Sequence, residues 1–279
     1  VYRALKPEVE KTGVVPLGFI PSSDAFVFES RRLGLIPPNE VADLSIRIEN
    51  LAAALSKTVD IDAVLSLASE APALPSAEPL RPISNQKVKI AVARDEAFCF
   101  LYRENIACLE EHGAEIVYFS PLRDAALPPQ AQGLLLPGGY PEIHARELSE
   151  NKPMLEAVAA AIRNGMPCLA EGSGFIYLHE SYQDENSVEY PMCGVIPARA
   201  FRTDRLTRFG YAELTALTSS AFLSAGEQIR AHEFQYSESD EPGAAFMAVK
   251  PNGDQSWRCY HADGDLLAGF PYLAYASNP

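Results

Sequence analysis

The turn between residues 169 and 175 is the first place where residue types and spacing suggest chemistry. It reads Leu169-Ala170-Glu171-Gly172-Ser173-Gly174-Phe175 and follows a short predicted strand, 167–170. A strand, a tight glycine-rich turn and a helix start form the setting of a nucleophile elbow, in which a sharp turn exposes the residue at its apex. Residues two positions before and after that apex must be small.

The flanking residues place the apex at position 172. Small residues lie two positions away from Gly172 on both sides. An apex at Ser173 has Glu171 and Phe175 as its flanks, and both are too bulky. Gly172 has no side chain that can act as a nucleophile. The alternative is a strand–helix turn without any catalytic role.

Two other strand ends carry candidate site residues. The loop after the predicted strand 133–136 contains Gly138 and Gly139, whose backbone N–H groups can face an anion or an oxyanion. Arg94 and Asp95 follow the predicted strand 88–92. They are candidates to line a cleft, and the alternative is a surface pair.

The cysteines and histidines do not form a recognisable site. Five of each are scattered without metal-ligand spacing or a C-x-x-C pair, so we predict no metal site and reduced thiols in a cytoplasmic protein. Cys168 lies in a predicted buried strand and is expected to be a core thiol. Three isolated histidines are expected to be solvated or to cap an element: His144, His179 and His261.

Alternating strands and helices position these loops. The predicted strands are 88–92, 115–119, 133–136 and 167–170, and the predicted helices are 98–112 and 151–164. This alternation predicts an α/β fold with a mostly parallel sheet covered on both faces. Such sheets place their sites at the carboxyl ends of the strands, where both glycine-rich loops lie.

The first 71 residues have the pattern of the end of another α/β domain. We predict a buried strand over 14–20, a helix over 40–55 and a second helix from 60 with Asp60 or Asp62 as its N-cap. Four prolines between residues 72 and 82 favour an extended linker. The predicted domains are therefore 1–71, a linker over 72–85, and 86–279. Because the chain begins with Val1, we expect it to be a piece of something longer.

Composition excludes several classes of function. Lys plus Arg is 23 and Asp plus Glu is 37, which gives a net charge of −14, while 47% of the residues are hydrophobic. This apolar content predicts a globular fold, and the charge argues against nucleic-acid or anionic-membrane partners. The sequence contains no run of about 18 apolar residues, so we predict no transmembrane helix.

Six segments, in order along nearly the whole chain, resemble the cobyrinate a,c-diamide synthase family. They are 31–40 (the R-H-L-G-L…E segment late in the family's ATP-binding domain), 89–105 (the start of its glutamine amidotransferase domain), 136–142 (the oxyanion loop), 170–178 (the A-E-C-G-G-x-x-Y-L elbow), 232–237 (H-E-F-H-Y-S) and 276–279 (the final S-N-P). The resemblance assigns Gly138, Gly139 and Tyr140 to the oxyanion loop. It makes His232 and Glu233 candidates for a cleft, while a structural or interdomain role is the main expectation for His232.

The resemblance implies a flavodoxin-like class I glutamine amidotransferase domain, preceded by the partial end of a P-loop-type α/β domain. In the family, the elbow cysteine attacks the glutamine amide and a histidine near the C-terminus accepts its proton. The ammonia passes to a synthetase domain that uses ATP to amidate a tetrapyrrole side-chain carboxylate. Here Gly172 occupies the position of the cysteine, and Tyr272 and Ala274 replace two histidines.

Nucleophile and base are thus both absent. Losing the nucleophile alone costs several orders of magnitude in rate. A single cysteine-to-glycine change is compatible with a laboratory trapping variant, but the second change at Tyr272 favours a naturally degenerate domain. Ser173 is not expected to replace the nucleophile because it has no evident base.

Cofactors and partners follow from the same resemblance. No G-x-x-x-x-G-K-[ST] loop occurs in the 279 residues, so we expect no cofactor in this chain. ATP and Mg are implied only for a complete synthetase domain. The expected partners are a tetrapyrrole-type small molecule, a missing N-terminal synthetase half or partner chain, and a second copy in a homodimer.

The leading hypothesis is a cobyrinate a,c-diamide synthase homologue with an inactive glutaminase, which uses free ammonia or ammonia from a partner. The alternative is a non-catalytic tetrapyrrole-binding or protein-interaction module. A third hypothesis is a structural subunit of a multi-protein complex.

Overall fold

The computed structural model describes residues 1–31, 34–36, 38–74 and 87–278. The chain divides into two units, Val1–Glu78 and Pro79–Pro279. Most of the predicted linker 72–85, and parts of the 31–40 and 276–279 segments, lie outside the described residues. Within the described ranges, no helix has the length and apolarity needed to cross a membrane.

The first unit is mainly helical in its described residues. Its elements are α1 (Tyr2–Glu10), β1 (Ser30–Arg31), β2 (Gly34–Leu35), α2 (Leu44–Thr58) and α3 (Ile61–Ser69). The predicted cap of α3 is confirmed, because an Asp60 carboxylate oxygen accepts the N–H of Ala63 at 3.0 Å. This bond satisfies one of the free amides at the start of the helix.

The predicted buried strand over 14–20 is wrong. In this segment only Gly18 pairs, in an isolated antiparallel bridge with Val59. Pro16 has no N–H to donate, and the two strands described in this unit, β1 and β2, pair with each other. The apolar run is therefore an exposed, extended connection: Val14, Val15, Phe19 and Ile20 are all exposed.

The second unit is built on a six-stranded sheet. Its strands are β3 (Val88–Ala93), β4 (Ala114–Phe119), β5 (Gly133–Leu136), β6 (Cys168–Glu171), β15 (His261–Asp263) and β16 (Leu266–Gly269). The spatial order is β15-β16-β6-β5-β3-β4, and every pair except β15–β16 is parallel. The prediction of an α/β fold with a mostly parallel sheet is confirmed.

Four α-helices lie in the described part of this unit. They are α4 (Arg103–Glu111), α5 (Ala145–Glu150), α6 (Lys152–Arg163) and α7 (Ser173–Tyr177). Helix α4 begins five residues later than its predicted start at 98. The reason is that the N–H of Phe100 donates to the carbonyl of Gly138 at 2.9 Å, which holds Phe100 in an isolated bridge outside the helix. On one side of the sheet, the core contains the fully buried Leu136, Val158 and Phe175.

Two further sheets form most of the C-terminal half and were not predicted. Their strands are β7 (His179–Gln183), β8 (Glu189–Pro191), β9 (Ile196–Arg202), β10 (Arg208–Ala216), β11 (Gln228–Gln235), β12 (Ser237–Ser239), β13 (Phe246–Val249), β14 (Ser256–Cys259) and β17 (Tyr272–Leu273). One sheet has the order β12-β9-β7-β8. The other has the order β14-β13-β10-β11-β17 and is antiparallel throughout. Strand β17 carries Tyr272 and pairs with β11.

Candidate functional site

The apex of the turn between β6 and α7 is Gly172. Its φ of 54° and ψ of −109° lie in a region that glycine adopts at little cost and other residues rarely enter. Its N–H donates to the carbonyl of Gly269 at 2.9 Å, which fixes the turn against β16. The backbone therefore has the sharp geometry of a nucleophile elbow, and its apex carries no side chain.

Tyr272 fills the space in front of this apex. A Cβ added to Gly172 would collide with the phenol oxygen and ring of Tyr272. A Cβ added to Gly138 would collide with the same ring. Tyr272 is buried, and its ring packs edge-on against Tyr102 with 6.1 Å between centroids. One aromatic side chain thus occupies the volume between the elbow and the glycine-rich loop.

The Tyr272 phenol has the wrong protonation state to replace a basic histidine. Burial raises the pKa of this phenol well above its ordinary value, and the nearby acidic groups raise it further. At neutral pH the group is therefore an uncharged O–H, a donor that does not accept a proton from a nucleophile.

The loop after β5 is tied to the elbow through Ser173. The N–H of Gly139 donates to Ser173 Oγ at 2.9 Å, and the same hydroxyl donates to the carbonyl of Gly139 at 2.9 Å. Gly139 also packs so closely on the carbonyl of Ala97 that a Cβ there would collide with it. Ser173 therefore occupies the N–H of Gly139, one of the two loop amides that could face an oxyanion.

A buried carboxylate holds the C-terminal segment in place. Glu171 is 3% exposed; its Oε1 accepts the N–H of Leu273 at 2.8 Å and its Oε2 accepts the hydroxyl of Tyr275 at 3.2 Å. The Asn105 amide donates to the Leu273 carbonyl at 2.7 Å and accepts the Tyr275 N–H at 3.1 Å. These bonds fix Leu273 and Tyr275, the residues on either side of Ala274. Because Leu273 directly follows Tyr272, they also restrict the orientation of the tyrosine.

Sequence reasoning missed this network. Glu171 was treated only as a bulky flank of the turn, and Asn105 only as part of a resembling segment. The sequence does contain a signal for it, because Glu171 lies between an apolar strand and a glycine. A carboxylate at such a position is buried only when it has hydrogen-bond partners, so partners for Glu171 were to be expected.

Glu171 makes stability depend on pH. Burial raises the pKa of its carboxyl from 4.5 to about 7, against the two hydrogen bonds that lower it. The folded protein therefore binds this proton more tightly than the unfolded chain does. The resulting contribution is fully present below pH 4.5 and is lost as the pH rises through about 7.

The Glu171→Gln variant is expected to be more stable than the native chain at about pH 8, by roughly 1–3 kcal/mol, because no buried charge must form. Urea unfolding at several pH values measures this difference, which should shrink towards pH 5 or so. Burial also raises the pKa of the Glu233 carboxyl to about 7, so the variant should retain part of the pH dependence of stability. Glu156→Gln, at an exposed position on α6, is the matched control. A Glu171→Gln variant that is no more stable at high pH contradicts the prediction.

The other cleft candidates make structural contacts. The Arg94 guanidinium stacks on the ring of Tyr118, 4.8 Å from its centroid. The Asp95 carboxylate accepts the N–H groups of Ala97 and Phe98 at 2.9 and 3.1 Å and organises its own turn. These contacts are those of a surface cation–π pair and a turn, and a role of either residue in a cleft stays a prediction.

His232 and Glu233 lie on opposite faces of β11, as successive residues of a strand must. The His232 ring packs edge-on against Phe209 and Tyr211 on the outer face, with centroids 6.4 and 5.5 Å apart. Glu233 is 2% exposed on the inner face. The pairing of β11 with β17 places His232 opposite Tyr272, so these two side chains share a face of the sheet. Glu233 lies on the other face.

The remaining candidates are structural. Cys168 is fully buried, which confirms its prediction as a core thiol, and burial raises the pKa of that thiol. His179 is also fully buried, not solvated: its Nδ1 lies 2.8 Å from the Phe175 carbonyl and its Nε2 2.7 Å from Ser239 Oγ. Burial lowers the pKa of His179 to about 4, so its imidazole is neutral. His144 precedes α5, and His261 contacts the carbonyl of Glu241.

A mostly parallel sheet with a sharp strand–helix turn, here with a glycine of positive φ at its apex, is typical of the nucleophile-elbow class of α/β domains. Comparison with known families then narrows the class. The chain belongs to the family of CobB/CobQ-like glutamine amidotransferase domains, which matches residues 89–269.

Curated relatives extend this similarity along the chain. A cobyrinate a,c-diamide synthase of Caldanaerobacter subterraneus is 34% identical over 98% of this chain, and one of Salmonella typhimurium is 37% identical over 100%. The chain spans 61% and 62% of the lengths of these two relatives. A solved structure of PurLQS from Thermotoga maritima aligns with 67% of this chain and 88% of its own, at 18% identity and a TM-score of 0.47.

Proposed function

We propose that this chain is part of a cobyrinate a,c-diamide synthase-like protein of cobalamin biosynthesis whose glutaminase site is inactive. The family and the names of the curated relatives support the first part. The observation that carries the second part is the Tyr272 ring, which occupies the space in front of Gly172.

Glutamine hydrolysis needs three chemical groups: a nucleophile, a base and hydrogen-bond donors for the oxyanion. A nucleophile must attack the amide carbon, a base must take its proton, and donors must face the developing oxyanion. Gly172 supplies no nucleophile, the neutral phenol of Tyr272 supplies no base, and Ser173 saturates the amide of Gly139. Ser173 does not replace the nucleophile, because its hydroxyl is engaged with both backbone groups of that glycine.

Without glutamine hydrolysis, the proposed protein forms an amide on a tetrapyrrole carboxylate from ammonia of another source. Free ammonia or a partner that releases it fills this role. The 279 residues contain no G-x-x-x-x-G-K-[ST] loop, so no step through ATP or Mg is assigned to this chain. The synthetase half of the proposed protein, or a partner chain, binds them.

The native chain is expected to release no glutamate from glutamine above a blank without protein, because the site lacks a nucleophile. A coupled glutamate dehydrogenase assay on the purified chain measures this. Ser173→Gly is the matched control, since it frees the Gly139 amide but restores no nucleophile, and it should be equally inactive. Clear glutamate release by the native chain would show that a residue at a position other than 172 acts as the nucleophile. The amidation half is tested separately, with the full-length protein, ATP, ammonium and tetrapyrrole acids.

A second candidate function is non-catalytic binding of a tetrapyrrole. It is favoured by an exposed aromatic surface on the outer face of β10 and β11, where Phe209 and Tyr211 are 61% and 72% exposed. Phe209 packs against Phe234 with 5.5 Å between centroids, and His232 continues the row. Such a surface suits a flat conjugated ring. Absorbance titration with cobyrinate distinguishes the two functions: saturable binding without turnover supports the module, and turnover supports the enzyme.

A further inference from the structure

A cavity of about 420 Å³ lies within the second unit, away from the face of Tyr272 that meets Gly172. The sheet residues Ile90, Leu135 and Leu169 line one side of it. Ile229 of β11 and Leu273 of β17 line the other side. Its volume falls within the roughly 300–1,000 Å³ of small-molecule sites, and such sites are mostly apolar. This size holds a molecule of one or two rings.

One edge of the cavity is polar. Cys108 of helix α4 and His112, the residue that caps the C-terminus of this helix, both line the cavity and lie four residues apart. His112 Nδ1 lies 2.7 Å from the carbonyl oxygen of Cys108, so this nitrogen carries the proton and donates. The other ring nitrogen, Nε2, is a hydrogen-bond acceptor whenever it carries no proton.

The Cys108 thiol adds no charge to this edge. Burial raises the pKa of the thiol, and the carboxylate of Glu111 raises it further, so it stays protonated. Its sulfur lies 3.8 Å from His112 Nδ1. The edge thus offers the His112 acceptor beside a mostly apolar space, whose lining also includes the polar side chains of Tyr275 and Asn278. The net charge of −14 disfavours an anionic ligand.

We propose that this cavity binds a small, uncharged aromatic molecule that carries one hydrogen-bond donor. The ring lies between the sheet and Ile229, and the donor points to Nε2 of His112. A phenol or an indole has this combination of a flat apolar body and a single donor. The site is separate from the emptied elbow, and the proposal does not depend on the proposed function of the elbow.

Isothermal titration calorimetry of the native chain with p-cresol, and with its methyl ether 4-methylanisole, which lacks the donor, tests the proposal. Both ligands should bind saturably, since both fill the apolar space. We expect p-cresol to bind about 3- to 10-fold more tightly, which is the value of one hydrogen bond. Absence of saturable binding of p-cresol, or equal affinity for the two ligands, overturns the proposal.

Two variants locate the site. Ala221→Trp places a large ring at an exposed position on the rim and should abolish binding of both ligands, whereas Ala225→Trp, exposed in the same loop and outside the lining, should not. His112→Phe keeps an apolar ring of similar size and removes the acceptor, so the preference for p-cresol should disappear while both ligands still bind. Unchanged binding in Ala221→Trp, or a preference that persists in His112→Phe, overturns the assignment. Circular dichroism establishes that each variant is folded.

Discussion

The Gly172→Cys variant is expected to lose about 2–5 kcal/mol of unfolding free energy and to remain without glutaminase activity. The new Cβ and sulfur would overlap the Tyr272 ring, which the Glu171 network holds in place. A φ of 54° adds strain, because residues with a Cβ rarely adopt it. Urea unfolding measures the loss of stability, and glutamate release measures the activity.

Two controls separate the collision from the backbone strain. Gly264 has the same φ of 54°, and a Cβ there meets nothing within 4 Å, so Gly264→Cys should cost only about 1 kcal/mol. Adding Tyr272→His to Gly172→Cys should recover about 1–3 kcal/mol, because the smaller imidazole makes room for the cysteine. The same addition to Gly264→Cys should recover nothing. Equal losses for the two cysteine variants would contradict a collision with Tyr272.

Local patterns were enough to locate the elbow and the sheet around it. The size of the residues that flank Gly172 fixed the apex, and strands 88–92, 133–136 and 167–170 were predicted within two residues of their observed bounds. These features depend on periodicity and turn chemistry over a few residues. Strands β5 and β6 are largely buried, and their short apolar runs are bounded by glycine or proline.

The contents of the site depend on contacts that no local pattern records. Glu171 and Leu273 are 102 residues apart in sequence, and Gly139 and Ser173 are 34 apart. The sequence shows that glycine and tyrosine occupy the two degenerate positions, 172 and 272. That the Tyr272 ring fills the space in front of Gly172 follows only from the pairing of β17 with β11. The error at 14–20 has the same origin, because a strand needs a neighbour and the segment has only the bridge at Gly18.

Glutamine hydrolysis is expected to become substantial only when three positions are changed together. The Gly172→Cys/Tyr272→His variant supplies a nucleophile and a base, but Ser173 still saturates the N–H of Gly139. Adding Ser173→Gly frees that N–H to face the oxyanion. One oxyanion donor is worth about 10²–10³ in rate, so the triple variant should exceed the double variant by that factor.

The split between kcat and KM identifies the cause of this gain. The freed amide acts on charge that develops in the transition state, so the increase should lie in kcat, with KM for glutamine little changed. Ser173→Ala in place of Ser173→Gly is the matched control: it also removes the hydroxyl but keeps a side chain, and it should give most of the increase. Equal kcat values for the double and triple variants would show that the Gly139 amide does not reach the reacting carbonyl. An increase with Ser173→Gly that is absent with Ser173→Ala would instead assign the effect to backbone freedom at residue 173, because both changes release the same N–H group.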